Sequence, residues 1–283
     1  MTGQWQDRVR AFTRLSSEAL RWLVYSNLFS SVFSIGGMTA AMMVLLRVPV
    51  DPVLLFIAFS GSMFIYSLNR VTDREEDRMS LPDRSEFSGK YGGYFTAISI
   101  PLFGVSLVLA ALQGTVVLAV VLMPLAIGIL YSILRMKRVP LLKNLAVSLG
   151  VSATLLMVVA VSEPPHATWF PLYGILVIGV IVNTVIFDIK DIAGDSSVGI
   201  RTLPVLLGSR VTRKICGLLL GVMALLAIPL VQRDGIFLAL VPYILYKSFY
   251  VLSIPRDETP WWYYGLVVDG EFIPLLIFSL LLR

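Results

Sequence analysis

Nine long apolar segments constrain this chain more strongly than any other feature of its sequence. A membrane-spanning helix needs about 20 mainly apolar residues. Hydrophobic residues make up 57% of the sequence and charged residues only 14%, with a mean hydropathy of +0.83. The sequence therefore predicts an all-α integral membrane protein with nine transmembrane helices in a lipid bilayer. The predicted spans are residues 19–46, 52–70, 93–112, 115–134, 142–162, 168–187, 211–231, 235–253 and 261–282.

The basic residues are distributed unevenly between the two sides of these spans. Arg47, Arg233 and Arg283 are assigned to one side. The other 20 of the 23 Lys and Arg residues are assigned to the amino-terminal segment and the connections after the second, fourth, sixth and eighth spans. The positive-inside rule then predicts a multi-pass protein of the cell membrane with a cytoplasmic amino terminus and an external carboxyl terminus. This topology and contact with anionic lipid head groups explain the pI near 9.4, so no nucleic-acid partner is predicted.

Two acidic clusters follow apolar segments on the predicted cytoplasmic side. The first comes after the second predicted span, and the other comes after the sixth. Their members are spaced at i, i+4 and i+8 or at i, i+3 and i+7, so each cluster would share one face of a helix that continued past the apolar core. The clusters are Asn69, Asp73 and Asp77, and Asp188, Asp191 and Asp195.

Carboxylates stacked on one face repel one another and therefore indicate a cation between them. Mg²⁺ suits such oxygen ligands, because it typically takes one or two carboxylates and completes its coordination with water and substrate phosphate. Basic residues, which bind uncoordinated phosphate oxygens, are interleaved with the clusters. A solvated loop of balanced charges is the alternative interpretation. The basic residues are Arg70, Arg74, Arg78, Arg84, Lys90, Lys190 and Arg201.

The pair of motifs resembles that of the UbiA superfamily of intramembrane prenyltransferases. Members of that superfamily carry an NDxxDxxxD-type motif after the second helix and a DxxxD or DxxDxxxD motif after the sixth. This chain has NRVTDREED starting at Asn69, with Arg70 where many members have Asp. It then has DIKDIAGD starting at Asp188, continuing into SSVGIRTLPVLLG. The resemblance covers nearly the whole chain.

The resemblance implies a single UbiA-like membrane domain over residues 1–283, with nine helices around a lipid-accessible cavity under a cytoplasmic polar cap. It also implies Mg²⁺-dependent transfer of an isoprenyl group from an isoprenyl diphosphate, geranylgeranyl or similar, through an allylic carbocation. The lipophilic acceptor is expected to be a quinone-precursor aromatic or an archaeal-type glyceryl phosphate lipid. No obligatory protein partner is predicted.

The same resemblance assigns roles to individual residues. The expected catalytic residues are Asp73, Asp77, Asp191, Asp195 and Tyr131. The expected metal ligands are Asn69, Asp73, Asp77, Asp188, Asp191 and Asp195. The expected substrate-binding residues are Asn69, Arg21, Arg74, Arg84, Ser132, Lys137, Lys143, Asp188 and Lys190, of which Ser132, Lys137 and Lys143 belong to the segment YSILRMKRVPLLKN after the fourth span.

Polar residues inside the predicted spans leave further functions open. Asn27 is interpreted as a hydrogen-bond partner of a neighbouring helix, ahead of a substrate contact. Asp269 and Glu271 interrupt the ninth span, where ionisable groups serve function or pair with another helix. A transporter or flippase that binds Mg²⁺ or an anionic lipid without chemistry is the alternative to an enzyme. Transporters place such sites at the midplane, whereas both acidic clusters here lie at one edge.

Overall fold

The computed structural model describes residues 17–72, 82–133, 139, 141–197, 199–254 and 260–283. Regular structure within these ranges is helical, as the sequence predicts. The helices are numbered in chain order: α1 (Ser17–Tyr25), α2 (Ser30–Leu45), α3 (Pro52–Thr72), α4 (Pro82–Gln113), α5 (Thr115–Ile133), α6 (Leu142–Ser162), α7 (His166–Lys190), α8 (Ile192–Ser197), α9 (Leu203–Arg233), α10 (Gly235–Leu252) and α11 (Tyr263–Leu281).

The long helices form a closed ring. Helix α3 packs against α2 and α4, α5 against α4 and α6, and α7 against α6 and α9. Helix α10 then packs against α9 and α11, and α11 returns to α2. Because every long helix has a neighbour on both sides, the ring has an interior that faces away from lipid. The short helix α8 lies outside this sequence of pairs and contacts α7 and α9.

Seven helices in the described ranges are long and apolar enough to cross a membrane, and the bent pair α1 and α2 adds an eighth if it counts as one span. In α5 the side chains are described only for Thr115–Ile127, and this part is shorter than the seven spans. The protein is therefore a multi-pass membrane protein, and the total of nine spans stays a prediction.

The first predicted span is not one straight helix. Helices α1 and α2 meet at an angle of 64°. Asn27 lies at the bend with a φ of 63°, a left-handed conformation that Asn tolerates better than most residues. Its side-chain oxygen accepts a hydrogen bond from Nη2 of Arg70 at 2.6 Å. Asn27 thus links α1 to α3, in agreement with the helix-pairing interpretation.

Two helices extend further than the apolar pattern predicts. Helix α4 begins at Pro82, eleven residues before the predicted start, because proline is favoured in the first turn of a helix, where its missing N–H is not needed. Helix α9 begins at Leu203 and is kinked at Gly208, whose φ is 75°. The predicted span at 211–231 therefore describes the part of α9 after the kink.

A buried ion pair joins α10 to α11. The charge distribution assigned Lys247 to the cytoplasmic connections; this assignment is wrong, because Lys247 lies inside α10 with no exposed surface. Its ammonium group donates to Oε2 of Glu271, to the carbonyl oxygen of Gly179 on α7 at 2.9 Å and to the hydroxyl of Tyr250 at 3.0 Å. The Tyr250 hydroxyl donates to the same Glu271 oxygen at 2.6 Å. A Cβ atom at Gly179 would lie 2.7 Å from the Tyr243 hydroxyl, so the approach of α7 requires glycine.

Helix α11 changes its winding beside this ion pair. A π-helical stretch, Tyr263–Val268, is followed by a 3₁₀ turn, Asp269–Glu271, and then by a regular α-helix. Irregular backbone at membrane depth is tolerated where other groups satisfy its carbonyls. Three other helices supply side-chain donors here: Tyr246 to the carbonyl of Val267 at 2.8 Å, Asn183 to that of Val268 at 3.2 Å, and Ser34 to that of Asp269.

We predict that the Lys247–Glu271 pair is required for stability. Lys247→Met or Glu271→Gln alone leaves a buried partner without its counter-charge, which typically costs about 3–5 kcal/mol. Thermal unfolding in detergent should show a large loss for each single variant. The double variant Lys247→Met with Glu271→Met should be more stable than the sum of the single effects predicts. Strictly additive losses would contradict a direct pair.

Candidate active site

A cavity of about 310 Å³ lies inside the ring and opens at the end where the acidic motifs begin. Helices α1, α2, α3, α4, α6, α7 and α11 contribute to its wall. The cavity brings together residues that the sequence predicts for one site, although they are far apart in the chain. These residues are Asn69, Arg84, Lys143, Asp188, Lys190 and Asp191.

Asp188 is held by two donors from α6. Its side chain is 2% exposed, with Oδ1 2.8 Å from the ammonium of Lys143 and Oδ2 2.9 Å from the amide nitrogen of Asn144. The Asn144 amide also reaches the hydroxyl of Thr184 at 3.1 Å. Both oxygens of Asp188 thus already accept hydrogen bonds from the protein. Metal ligation by Asp188 stays a prediction.

Asp191 and Lys190 lie where α7 ends and the chain turns into α8. Asp191 is the residue after the last turn of α7, with a φ of −92° and a ψ of 7°. The ammonium of Lys190 lies 3.5 Å from Oδ1 of Asp191 and within 5.5 Å of the ring centres of Phe187 and Tyr264. A cation between two aromatic rings is stabilised by their faces. Lys190 is thereby held at the cavity wall beside Asp191.

Asp195 lies on α8 and is 9% exposed. It is not part of the cavity wall, but it is near Lys143, Asp188 and Asp191, which are. Burial raises the pKa of its carboxyl group to about 6; nearby Lys143 opposes that increase, whereas Asp188 and Asp191 add to it. Within the described ranges, its buried Oδ2 atom accepts no hydrogen bond of normal geometry, although the Thr202 hydroxyl is near enough to lower the pKa of the carboxyl group. Buried polar atoms are normally well paired, so this oxygen has capacity for a further ligand.

The chemistry of these residues fits Mg²⁺ in part. Carboxylate oxygens of Asp191 and Asp195 and the amide oxygen of Asn69 are the hard ligands that Mg²⁺ takes. The described ranges contain no group of three or more acidic, histidine or cysteine side chains that is close enough to hold a metal by itself. A metal site would therefore draw on the first acidic motif as well.

For several predicted site residues the structure describes no side chain. Asp73, Asp77, Arg74 and Lys137 lie outside the described residues. Tyr131 and Ser132 lie in the last turn of α5, where only the backbone is described. Their roles stay predictions.

Arg21 lies at the rim of the cavity and does not belong to its wall. Its guanidinium is 3.5 Å from the carboxylate of Asp83 on α4 and 5.5 Å from the ring centre of Trp261, which does line the cavity. The Arg21 side chain is 46% exposed, so the ion pair itself contributes little stability. A substrate contact by Arg21 stays a prediction.

A second, apolar cavity of about 270 Å³ adjoins the first. Its wall is formed by α2 to α6 and includes Ile57, Ala58 and Phe103. Both cavities share the same residues at their junction, among them Tyr66 and Asn69 on α3. A charged compartment therefore opens directly into an apolar one.

The cavity wall contains residues that sequence analysis missed. Ser30, Asn183 and Thr184 all line the polar cavity. Asn183 and Thr184 are adjacent polar residues inside an apolar span, and this break in the pattern is the signal that could have identified them. Ser30 has no such signal, because small hydroxyl residues are common in membrane helices.

The ring of apolar helices encloses a cavity whose wall includes Asn69 and Asp188, the first residues of the two acidic motifs. Such an arrangement suits an intramembrane enzyme, and comparison with known families identifies the class. Residues 30–270 match the model of the UbiA prenyltransferase family. The chain belongs to this family.

Relatives with similar sequences are archaeal digeranylgeranylglyceryl phosphate synthases. The protein from Methanopyrus kandleri is 29% identical over 172 residues, which cover 60% of this chain and 62% of that protein. The protein from Methanothrix thermoacetophila is 30% identical over 162 residues, which cover 57% and 60%. The matched region thus spans about three fifths of the length of these relatives.

Solved structures share the fold at low sequence identity. A UbiA homolog from Archaeoglobus fulgidus bound to GPP and Mg²⁺ matches with a TM-score of 0.67 and 14% identity, covering 92% of this chain and 98% of that chain. A UbiA homolog from Aeropyrum pernix K1 matches with a TM-score of 0.64 and 18% identity, covering 89% and 94%. These matches confirm the arrangement of the helices.

We predict that Asp195 destabilises the metal-free protein in a pH-dependent way. Its folded-state pKa of about 6 exceeds the unfolded value of 3.8, so folding opposes its ionisation. The resulting loss of stability develops as the pH rises from about 4 to 6 and is complete above 6. In EDTA, Asp195→Asn should therefore unfold at a higher temperature than the parent at pH 7.5, and the difference should shrink at pH 5.

The exposed carboxylate of Glu163 provides the control for this measurement. Glu163→Gln should leave the unfolding temperature unchanged at both pH values. An Asp195→Asn variant that is less stable than the parent at pH 7.5 would contradict the prediction.

Proposed function

We propose that this protein transfers a geranylgeranyl or similar isoprenyl group from its diphosphate to a hydroxyl group of a glyceryl phosphate lipid, with Mg²⁺ as cofactor. The observation that carries the proposal is the polar cavity that opens into an apolar one inside a ring of UbiA helices. The names of the relatives support a glyceryl phosphate acceptor. The proposal includes nine spans, a cytoplasmic amino terminus, an external carboxyl terminus and a site on the cytoplasmic side.

The polar cavity suits the diphosphate. Asp191, Asp195 and Asn69, with Asp73 and Asp77 of the first motif, would hold Mg²⁺. The metal supplies positive charge that stabilises the diphosphate as a leaving group. Lys190 and Arg84 line the same wall, and their charges would bind the phosphate oxygens that the metal leaves free.

The apolar cavity suits the isoprenyl chain. An allylic cation reacts quickly with water, so it must form in a compartment that excludes water. Ile57, Ala58 and Phe103 offer such surroundings, and the ring of Phe103 is stacked on that of Phe64 at 4.6 Å. The reacting carbon would then lie near the junction of the cavities, beside Tyr66.

Contacts at the opposite end of the ring support the proposed orientation. Arg47 forms an ion pair with Asp234 at 3.1 Å and donates to the carbonyl oxygen of Arg283 at the same distance. Residues that the charge distribution assigns to the external side thus lie together, away from the cavity. The grouping of these residues at one end of the ring agrees with the charge distribution, and it supports the assignment of both acidic motifs to the other side of the membrane.

A direct assay tests the proposed function. Purified protein with labelled geranylgeranyl diphosphate, geranylgeranylglyceryl phosphate and Mg²⁺ should yield the doubly prenylated lipid, and EDTA should abolish the product. Asp191→Asn should lower kcat/KM by about a hundredfold, the scale for loss of a charge-stabilising group. Asp51→Asn, which alters a connection outside the cavities, should change it little.

Two outcomes would contradict the proposal in different ways. Product formation with an aromatic acceptor but not with the glyceryl phosphate would reject the acceptor. Binding of the diphosphate without its consumption by any acceptor would favour the carrier alternative.

The apolar cavity should set the length of the isoprenyl chain. Ala58 is buried in its wall, so Ala58→Phe should obstruct a long chain but leave room for a short one. We expect turnover of geranylgeranyl diphosphate to fall by about a hundredfold, since small misplacements have effects of that size. Turnover of dimethylallyl diphosphate should be retained. Ala111→Phe, on the exposed side of α4, should affect neither substrate.

A further inference from the structure

Asp269 is an intramembrane carboxylate that faces the polar cavity. It lies in the wall together with Ser30 and Asn183. Oδ2 of Asp269 accepts a hydrogen bond from the Ser30 hydroxyl at 2.6 Å, and its backbone carbonyl accepts one from Ser34. An ionisable group at this depth is expensive and is expected to serve a function.

The surroundings of Asp269 hold it in a defined position. It begins the 3₁₀ turn of α11, and the carbonyls before and at this turn are satisfied by side chains from α2, α7 and α10. Two residues further on, Glu271 is anchored by Lys247. The irregular winding therefore fixes which way the Asp269 side chain points, and it points into the cavity.

The proposed reaction requires a proton acceptor that the metal-binding residues cannot provide. An acceptor hydroxyl that bonds to carbon must lose its proton, and carboxylates bound to Mg²⁺ are poor bases. Among the described residues, the carboxylates that line the cavity are Asp188, Asp191, Asp269 and Glu271. Asp188 is paired with Lys143, Glu271 is paired with Lys247 through Oε2, and Asp191 lies at the metal end beside Lys190. Oε1 of Glu271 has no hydrogen-bond partner among the described residues, but it belongs to a carboxylate that Lys247 already neutralises. The side chain of Asp269 instead accepts from the neutral hydroxyl of Ser30.

We propose that Asp269 is the catalytic base that takes the proton from the acceptor hydroxyl. This inference rests on the proposed function. The bond between C1 of the isoprenyl group and the diphosphate oxygen breaks, and its electron pair leaves with the diphosphate. The acceptor oxygen forms a bond to C1, and its proton moves to the Asp269 carboxylate. After the product leaves, the proton passes to water at the open end of the cavity.

The depth of Asp269 fits a glyceryl phosphate acceptor. Trp261 lines the cavity near Arg21, and Asp269 follows it by eight residues along α11, so the carboxylate lies more than one helical turn further into the cavity. Arg70 and Lys190 line the same cavity and interact electrostatically with Asp269. With Lys190 and Arg84 on the donor diphosphate, Arg70 would bind the acceptor's phosphate while the free hydroxyl of the acceptor reaches the Asp269 carboxylate.

The test separates donor ionisation from acceptor alkylation. Asp269→Asn keeps the shape and a hydrogen-bond acceptor for Ser30 but cannot take a proton. We expect kcat for lipid product to fall by about a hundredfold or more, the usual contribution of a general base. The rate of Mg²⁺-dependent diphosphate release in the absence of acceptor should stay within about threefold of the parent, because cleavage of the isoprenyl diphosphate needs no base. The KM for geranylgeranyl diphosphate should stay within the same range.

A second variant tests whether the loss of activity comes from altered structure instead of from the loss of the base. Asp269→Ala opens space beside Ser30 that formate can enter. Added formate should raise the alkylation rate of this variant at least tenfold, because formate can act as the base, whereas it would not replace a merely structural side chain. Three results would overturn the proposal. The first is a kcat of Asp269→Asn equal to that of the parent, and the second is a change in this variant that is confined to the KM for the lipid acceptor. The third is the absence of rescue by formate in folded Asp269→Ala. A parent protein that neither releases diphosphate nor forms product would instead refute the proposed function itself.

Discussion

The ion pair between Lys247 and Glu271 fixes how the helices can be arranged around the cavity. An unpaired ammonium or carboxylate is costly inside a bilayer, so α10 and α11 are stable in lipid only when these groups meet. Lys247 also donates to a carbonyl of α7, the helix that leads into the second acidic motif. Three helices are therefore joined at one depth. The irregular turn of α11 and the direction of Asp269 follow from this attachment.

The two cavities divide the interior of the ring by polarity. Charged side chains from α3, α4, α6 and α7 surround one compartment, while apolar side chains from α2 to α6 surround the other. Helices α2, α3, α4 and α6 contribute to both cavities. Lys143 of α6 lies at the junction and also holds Asp188. This arrangement lets an amphipathic molecule keep its charged head among counter-charges and its chain among apolar groups without crossing an open aqueous space.

Hydropathy and motif spacing predicted the all-α class, most of the spans and the family, because about 20 apolar residues leave few alternatives to a membrane helix. The grouping of Asn69, Asp188 and Asp191 also followed from the motifs. Lys247 was missed because a window average hides a single charge, and its partner lies on another helix. The bend at Asn27 and the donors that occupy both oxygens of Asp188 depend on tertiary contacts. No local pattern in the sequence reports such contacts.

The closure of the ring by α2 and α11 has a consequence for synthesis in the cell. Helices emerge from the ribosome in chain order, so α10 reaches the membrane while Glu271 is still inside the exit tunnel. During that interval Lys247 is an unpaired cation, which costs roughly 3 kcal/mol at a helix centre on insertion scales. Emergence of α11 supplies the missing carboxylate and the last wall of the cavity together. The insertion of α11 thus completes the cavity and neutralises Lys247 in the same step.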